Sequence, residues 1–418
     1  MPWKETCAVE QRLEFIREVL RGDLSKAELC RRYGISRPTG DKWLERFVEH
    51  GMDGLNDLPS IPKHHPNQVP SELAEMLLAL RREHMTWGPR KLKAYLERKY
   101  KTMKWPSAST IGELLKRNGI AVGRLWRRRT PPYTQPFAGC GQPNSTWCAD
   151  FKGQFHTGNG SVCYPLTLTD AFSRYLLRCQ GLPRPRTVLA RPIFESAFRE
   201  YGMPQAIRSD NGTPFAANAI GGLSKLSVWW IRLGIVPERI EPGHPEQNGR
   251  HERMHLTLKN EATKPPQASL RSQQRRFDSF RQEYNTQRPH EALDQKTPAD
   301  VYCSSPRPYP SRVPQPQYDS DTEVRYVHAN GEIKWRSRRL YLGAVLGYEH
   351  VGLKEVSDGY WLVFLCQVPL AVLDDRRRRV HDLESAKRWG WVPPAVLPIP
   401  FRCASGNGQN VTEQSSNV

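Results

Sequence analysis

The chain lacks the roughly 20 consecutive apolar residues that a membrane-spanning helix requires. Its start, Met1-Pro2-Trp3-Lys4-Glu5, is not followed by the apolar core of a signal peptide. Nine cysteines are present, without a Cys-x-x-Cys pair and without a Cys/His quartet at zinc-finger spacing. These absences predict reduced, mostly buried thiols in a cytosolic protein, a compartment that argues against pairing of Cys140 with Cys148. His64 and His65 have no cysteine nearby and read as linker. Acids are scarce too: 43 Asp and Glu face 62 Lys and Arg, a net charge of +19 over 418 residues. Such a surplus favours a polyanionic partner, because each cation set on a phosphate releases condensed counterions. The length exceeds one hydrophobic core and predicts about two to four domains.

More than half of the excess charge lies in residues 1–132, which hold 26 Lys/Arg and 16 Asp/Glu. Leu13, Ile16, Val19 and Leu20 recur at helical spacing between Gln11 and Leu20. Ser25 and Glu28 form a capping box for a helix from Lys26 to Tyr33, which Gly34 stops. Ser36 opens a third helix with Trp43, Leu44, Phe47 and Val48. Helix, Gly-containing turn, helix is the layout of a helix-turn-helix reader, whose second helix enters the major groove. Arg37, Thr39, Lys42 and Arg46 are its candidate contacts, of which Arg37, Lys42 and Arg46 are assigned to DNA. A plain helical hairpin would have the same layout. After a Pro-rich break, helices are predicted from Glu72 to Glu83, from Trp87-Gly-Pro onward, and from Ala108 to Asn118. The run Arg124-Leu-Trp-Arg-Arg-Arg129 reads as a basic linker suited to phosphates.

From Asn144 the pattern turns to strands: Trp147 to Phe155, Val162 to Leu168 and Tyr175 to Cys179. A helix from Val188 to Tyr201 follows, then a short strand that delivers Asp210, with Asn211-Gly212 allowing a sharp turn. A helix from about Leu223 to Leu233, a strand from Ile235 to Ile240, a broken loop and a helix from Arg250 to about Glu261 complete the order of a ribonuclease-H-like α/β domain with a mixed sheet. Asp150 lies mid-strand, a costly place for a charge unless a cation meets it. Asp150, Asp210 and Glu252, delivered to one crevice, suit hard oxygen-seeking ions such as Mg²⁺ or Mn²⁺. Two such ions about 3.5–4 Å apart serve an in-line phosphoryl displacement.

Asp150, Ser209-Asp-Asn-Gly-Thr-Pro-Phe215 and His244-Pro-Glu-Gln-Asn-Gly-Arg-His-Glu252 resemble the acidic signature of retroviral integrases and bacterial insertion-sequence transposases. Tyr284-Asn-Thr-Gln-Arg-Pro-His-Glu-Ala-Leu293 resembles the segment that closes their core domain. The gap between Asp210 and Glu252 is longer than in retroviral cores and lies closer to bacterial elements. The resemblance implies that Asp150, Asp210 and Glu252 are catalytic and hold two Mg²⁺ or Mn²⁺ ions, with Glu246 in a neighbouring loop. It further implies that Asn248 and Lys259 touch DNA. Asn211 and His244 are candidate supports behind the acids, or an ordinary turn Asn and loop His. Implied partners are double-stranded DNA, as terminal inverted repeats and as target, and further copies of the chain assembled on DNA. The resemblance also implies no membrane partner and a place in the bacterial cytosol, at the nucleoid.

Ser304 to Gln317 is Pro-rich and reads as extended. Short alternating runs follow, with hairpin signals at Asn330-Gly331 and Asp358-Gly359. They predict a small all-β barrel, similar to the barrel of Mu-type and insertion-sequence transposases. Arg325, Lys334, Arg336, Arg338 and Arg339 on it either hold DNA or form a polar outer face. The expected organisation is therefore a helix-turn-helix domain (1–57), a linker (58–69), a second helical DNA-binding domain (70–123) and a basic linker (124–143). The catalytic core (144–303), a Pro-rich linker (304–320), the barrel (321–376) and a basic, then disordered tail (377–418) complete it. The expected activity is binding of the terminal repeats, hydrolysis at the ends and joining of the 3′-hydroxyls to target DNA. A transposase-derived regulator that no longer cuts is the alternative, and a structure-selective nuclease on the same fold lacks such tandem readers.

Overall fold

The computed structural model describes residues 7–58, 68–121, 140–217, 219–240 and 249–388. It divides into two compact units, 1–70 and 71–418. The first contains α1 (Ala8–Arg21), α2 (Lys26–Arg32) and α3 (Arg37–His50). The Ser25 hydroxyl accepts from Glu28 N–H and the Ser36 hydroxyl from Thr39 N–H, so both caps fall where the sequence puts them. Phe15, Ile16, Leu29, Cys30, Trp43 and Leu55 form its core.

The second unit begins with another helical set: α4 (Ser71–Glu83), α5 (Pro89–Lys99) and α6 (Ala108–Arg117). Leu77, Trp87, Leu92, Leu96, Trp105, Ile111 and Leu115 make its interior. The basic run after Gly123 lies outside the described residues.

Next come β1 (Thr146–Phe151), β2 (Phe155–His156), β3 (Val162–Asp170), β4 (Leu176–Leu182), α7 (Thr187–Tyr201), β5 (Ala206–Ser209), α8 (Lys225–Arg232), β6 (Val236–Arg239) and α9 (Gly249–Ala262). The sheet is mixed, with β3 and β4 antiparallel and β1, β5 and β6 parallel. This is the expected ribonuclease-H-like order. The predicted strand from Trp147 to Phe155 is broken at Lys152, so that β2 is a separate two-residue piece. A long helix that the sequence reading did not name, α10 (Leu270–Thr286), buries Phe277, Phe280 and Tyr284 together with Met254 and Leu258 of α9.

The Pro-rich segment is extended but tied down. Ser305 N–H donates to the Tyr201 carbonyl, and the Arg307 guanidinium donates to the carbonyls of Pro204, Leu233 and Gly234. Beyond it lie β7 (Glu323–Tyr326), β8 (Glu332–Trp335), β9 (Arg338–Tyr341), β10 (His350–Ser357), β11 (Tyr360–Leu365), β12 (Val368–Asp374), β13 (Arg379–Asp382) and a short α11 (Leu383–Arg388). The expected barrel is corrected here to open sheets. β13-β12-β11-β10-β7 is a five-stranded antiparallel sheet, β8-β9 is a separate hairpin, and no barrel closes among the described residues. The hydrophobic reason lies in α8, whose Val228 and Ile231 join the interior of these sheets while Leu226, Trp229 and Trp230 face the catalytic sheet. A helix already covers the apolar face, so the strands need not curl on themselves. The start of the basic tail is ordered as β13, and the expected disorder beyond Cys403 lies outside the described residues.

Candidate active site

Strand register brings the first two acids together. β1 and β5 run parallel with Ala149 opposite Ser209, so the next residue on each chain, Asp150 and Asp210, emerges side by side. Neighbouring strands are about 4.8 Å apart. Glu252 comes from the first turn of α9 and is exposed, while His251, Met254, His255 and Leu258 point inward from the same helix.

The electrostatics agree with convergence. Burial, reinforced by the charges of Asp210 and Glu252, lifts the Asp150 carboxyl to about 7. Burial also raises Asp210, against an opposing hydrogen bond from Gly212 N–H. Asp210 Oδ1 is buried without a hydrogen-bond partner among the described residues. A buried carboxylate oxygen that meets no donor is costly unless a cation completes it, and an all-oxygen donor set suits a hard divalent ion. The residues present therefore fit a divalent metal. Gly212 has a different reason from the one its sequence suggests. Its φ is not positive, but a Cβ there would lie 3.0 Å from Asp210 Oδ2. The site needs the space rather than the turn. Asn211 Nδ2 donates to the Ile240 carbonyl at 2.8 Å, tying the loop behind Asp210 to the end of β6.

Two histidines unremarked in the sequence lie behind Asp150. His251 and His255 are buried, and Asp150 with both rings forms a group whose ligand-type atoms all lie within 4.8 Å. Two imidazoles and a carboxylate are a transition-metal donor set. Three of the four ring nitrogens, however, already meet threonine hydroxyls. Thr167 Oγ1 lies 2.7 Å from Nε2 of each ring, and Thr169 Oγ1 lies 2.8 Å from His251 Nδ1. The histidines therefore form an internal hydrogen-bond network. Burial keeps both rings neutral, lowering His251 to about 3 and His255 further. Their spacing, four residues apart on the inward face of α9, is the signal that would have found them.

Residues 141–245 and 233–298 match the family described as integrase core domain. Residues 11–63 match a helix-turn-helix domain, and residues 39–115 a homeodomain-like domain. The insertion element IS407 uncharacterized 31.7 kDa protein of Burkholderia multivorans is 28% identical over 66% of this chain and 90% of its own length. The insertion element IS476 uncharacterized 39.2 kDa protein of Xanthomonas euvesicatoria is 25% identical over 71% of this chain and 78% of its own. The chain is thus similar to proteins of bacterial insertion elements and carries integrase-core matches from residue 141 to residue 298. Among solved structures, the HTLV-2 integrase catalytic core domain in complex with magnesium is 17% identical, over 38% of this chain and 97% of its own, at a TM-score of 0.31. These likenesses support a role in DNA transposition or integration, with DNA as partner and chemistry of the polynucleotidyl transferase class.

The remaining candidates divide. Arg37 and Lys42 are exposed on α3. Arg46 is turned back: its guanidinium lies over the Trp43 ring, 4.8 Å from the centroid, and donates to the Asn56 carbonyl at 2.6 Å. Lys259 is exposed two turns beyond Glu252 on α9. Glu246, His244 and Asn248 lie outside the described residues. No helix among the described residues is long and apolar enough to cross a membrane.

Proposed function

We propose that this chain is a transposase that binds the terminal inverted repeats of its element, hydrolyses DNA there, and joins the freed 3′-hydroxyls to target DNA. In the first step a water oxygen bonds to phosphorus and the bridging O3′ leaves with a proton, giving a 3′-hydroxyl. In the second, that hydroxyl attacks a target phosphodiester and displaces the target's own O3′, with no covalent protein–DNA intermediate. Asp150, Asp210 and Glu252 hold the divalent cations, Mg²⁺ or Mn²⁺. Two such ions would supply, when bound, the positive charge that favours the anionic forms of the attacking and leaving oxygens.

One observation carries this reading. The parallel register of β1 and β5 sets two acids side by side, and the Asp210 Oδ1 there is buried without a donor. Gly212 N–H orients Asp210, and Asn211 anchors the loop behind it. Lys259 on α9 would meet phosphate, and His244 and Asn248, from the segment just before α9, complete the proposed set. Arg37 and Lys42 read the repeats from α3, whereas the groove role proposed for Arg46 competes with its contacts to Trp43 and Asn56. Joining two ends requires several copies on DNA, in the bacterial cytosol at the nucleoid.

The test sets a Mg²⁺ and Mn²⁺ cleavage assay beside a gel shift on end DNA. Asp210→Asn keeps the shape but removes the charge, so cleavage is expected to fall roughly 10³-fold while binding persists. Specific binding with no cleavage by the unaltered chain would favour a regulator that no longer cuts.

A further inference from the structure

The hydroxyl of Thr167 lies within hydrogen-bond distance of three groups at once. They are the Asp150 carbonyl at 3.1 Å, His251 Nε2 at 2.7 Å and His255 Nε2 at 2.7 Å. A hydroxyl has one proton to give and two lone pairs to receive. A carbonyl only accepts, so the contact with Asp150 needs the threonine proton. Both rings must then donate their Nε2–H to Thr167 Oγ1. Each neutral imidazole carries a single N–H, which makes each Nδ1 an acceptor. Thr169, 2.8 Å from His251 Nδ1, supplies the matching hydroxyl proton. This is the one arrangement in which all four contacts have a proton. It leaves His255 Nδ1, 3.7 Å from Asp150 Oδ2, presenting a lone pair to the carboxylate.

We propose that Thr167 is a positioning residue for Asp150. It fixes both histidines as Nε2–H tautomers, turns an acceptor nitrogen of His255 toward the site, and sets the height of α9, with Glu252, above β1. The register supports this, because Thr167 on β3 is the direct cross-strand partner of Asp150. Thr167 and the two rings therefore join the three elements β1, β3 and α9 at one oxygen. An acceptor facing Asp150 gives the carboxylate no proton from that side and receives hydrogen from whatever is bound beside it. Partners of this kind behind metal ligands typically change metal affinity by about 10–100-fold.

The inference rests on the acid-triad reading above but is tested apart from catalysis. The full chain, labelled with ¹⁵N-histidine and free of metal, should show Nε2–H signatures for His251 and His255 in NMR spectra. Mn²⁺ binding, followed by electron paramagnetic resonance, should weaken about tenfold in Thr167→Val. Thr167→Ser should restore both the His255 signature and the affinity. Thr169→Val removes a comparable buried hydrogen bond that does not reach Asp150, so it should lower thermal stability while keeping Mn²⁺ affinity within about twofold. An Nδ1–H signature for His255 in the unaltered chain overturns the proposal. So does equal weakening by Thr167→Val and Thr169→Val, or unchanged affinity in Thr167→Val. Should the unaltered chain bind no Mn²⁺, the triad reading fails instead, and the spectra alone decide the tautomers.

Discussion

Two helical sets built with the same grammar are used differently. α1–α3 form a compact unit with a core of their own, in which Arg12 and Arg46 lie over the Trp43 ring and donate to the carbonyls of Leu55 and Asn56. α4–α6 share a unit with the catalytic sheet and are fastened to its closing segment. His84 Nδ1 lies 3.0 Å from Glu283, Arg90 pairs with Glu291 at 2.6 Å, and Arg98 forks onto Asp300 at 2.7 and 2.9 Å. Thr86 donates to Glu261 at the end of α9. Helical periodicity and caps specify that three helices form; the residues on their outer faces decide whether the set stands alone or becomes part of an enzyme core.

The sharpest way to break this contrast is Trp87→Ala. Trp87 is fully buried and stacked on His84 at 3.9 Å, so truncation should cost about 3–5 kcal/mol. The thermal transition of the catalytic unit, followed by calorimetry, should fall, and nicking of generic DNA should be lost at lower temperature than in the unaltered chain. An unchanged catalytic transition would mean that the second set is as independent as the first.

Gly40→Val is the counterpart in the first set. A Cβ at Gly40 would meet Cys30 Sγ at 2.8 Å and Phe15 Cζ at 3.0 Å, an overpacking cost of about 1–3 kcal/mol. End-DNA binding should weaken on warming while nicking of generic DNA is spared. Equal loss of both activities would show that the units fold as one.

A smaller effect is expected at Lys91, where burial and the charges of Arg288 and Arg253 lower the ammonium to about 8. Below pH 8 both folded and unfolded chains carry this proton, so the cost of burying the charge is present in full. Between about 8 and 10.5 the folded chain loses the proton first and that cost fades. Lys91→Met should therefore stabilise the second unit by on the order of 1–3 kcal/mol at pH 7. Its advantage should shrink as pH rises to 10, as read by chemical denaturation at each pH; an advantage that grows with pH would contradict the assignment. The smallest effect belongs to Arg98→Ala. Its pair with Asp300 is half exposed, so about 0.5 kcal/mol is expected, diminishing in high salt.

Many helices and hairpins are legible because each carries a strong local signal. Ser25 and Ser36 mark helix starts, and Asn330-Gly331 and Asp358-Gly359 mark hairpins. What escaped was set by distant contacts. α10 is not among the helices named from the sequence, although Phe277, Phe280 and Tyr284 keep helical spacing within the otherwise largely polar stretch Leu270–Thr286. Alternation predicts a barrel where the structure has open sheets, because it reports which face is apolar, not what covers it. At the site, the acids could be named from their motifs. His251 and His255 offer only their four-residue spacing as a signal, and what gives that spacing meaning is Thr167, on a strand more than eighty residues away in sequence.

The double-faced burial of α8 has an evolutionary consequence. Eight residues, Lys225–Arg232, supply interior to the catalytic sheet with one set of side chains and to the C-terminal sheets with another. A lineage that lost the C-terminal strands would uncover Val228 and Ile231, and one that exchanged them would need a newcomer shaped to the same ridge. The two regions are bound to descend as a pair, so recombination between insertion sequences should find its tolerated seam in the stretch before Ser71 rather than in the Pro-rich strap, despite the strap's resemblance to a linker.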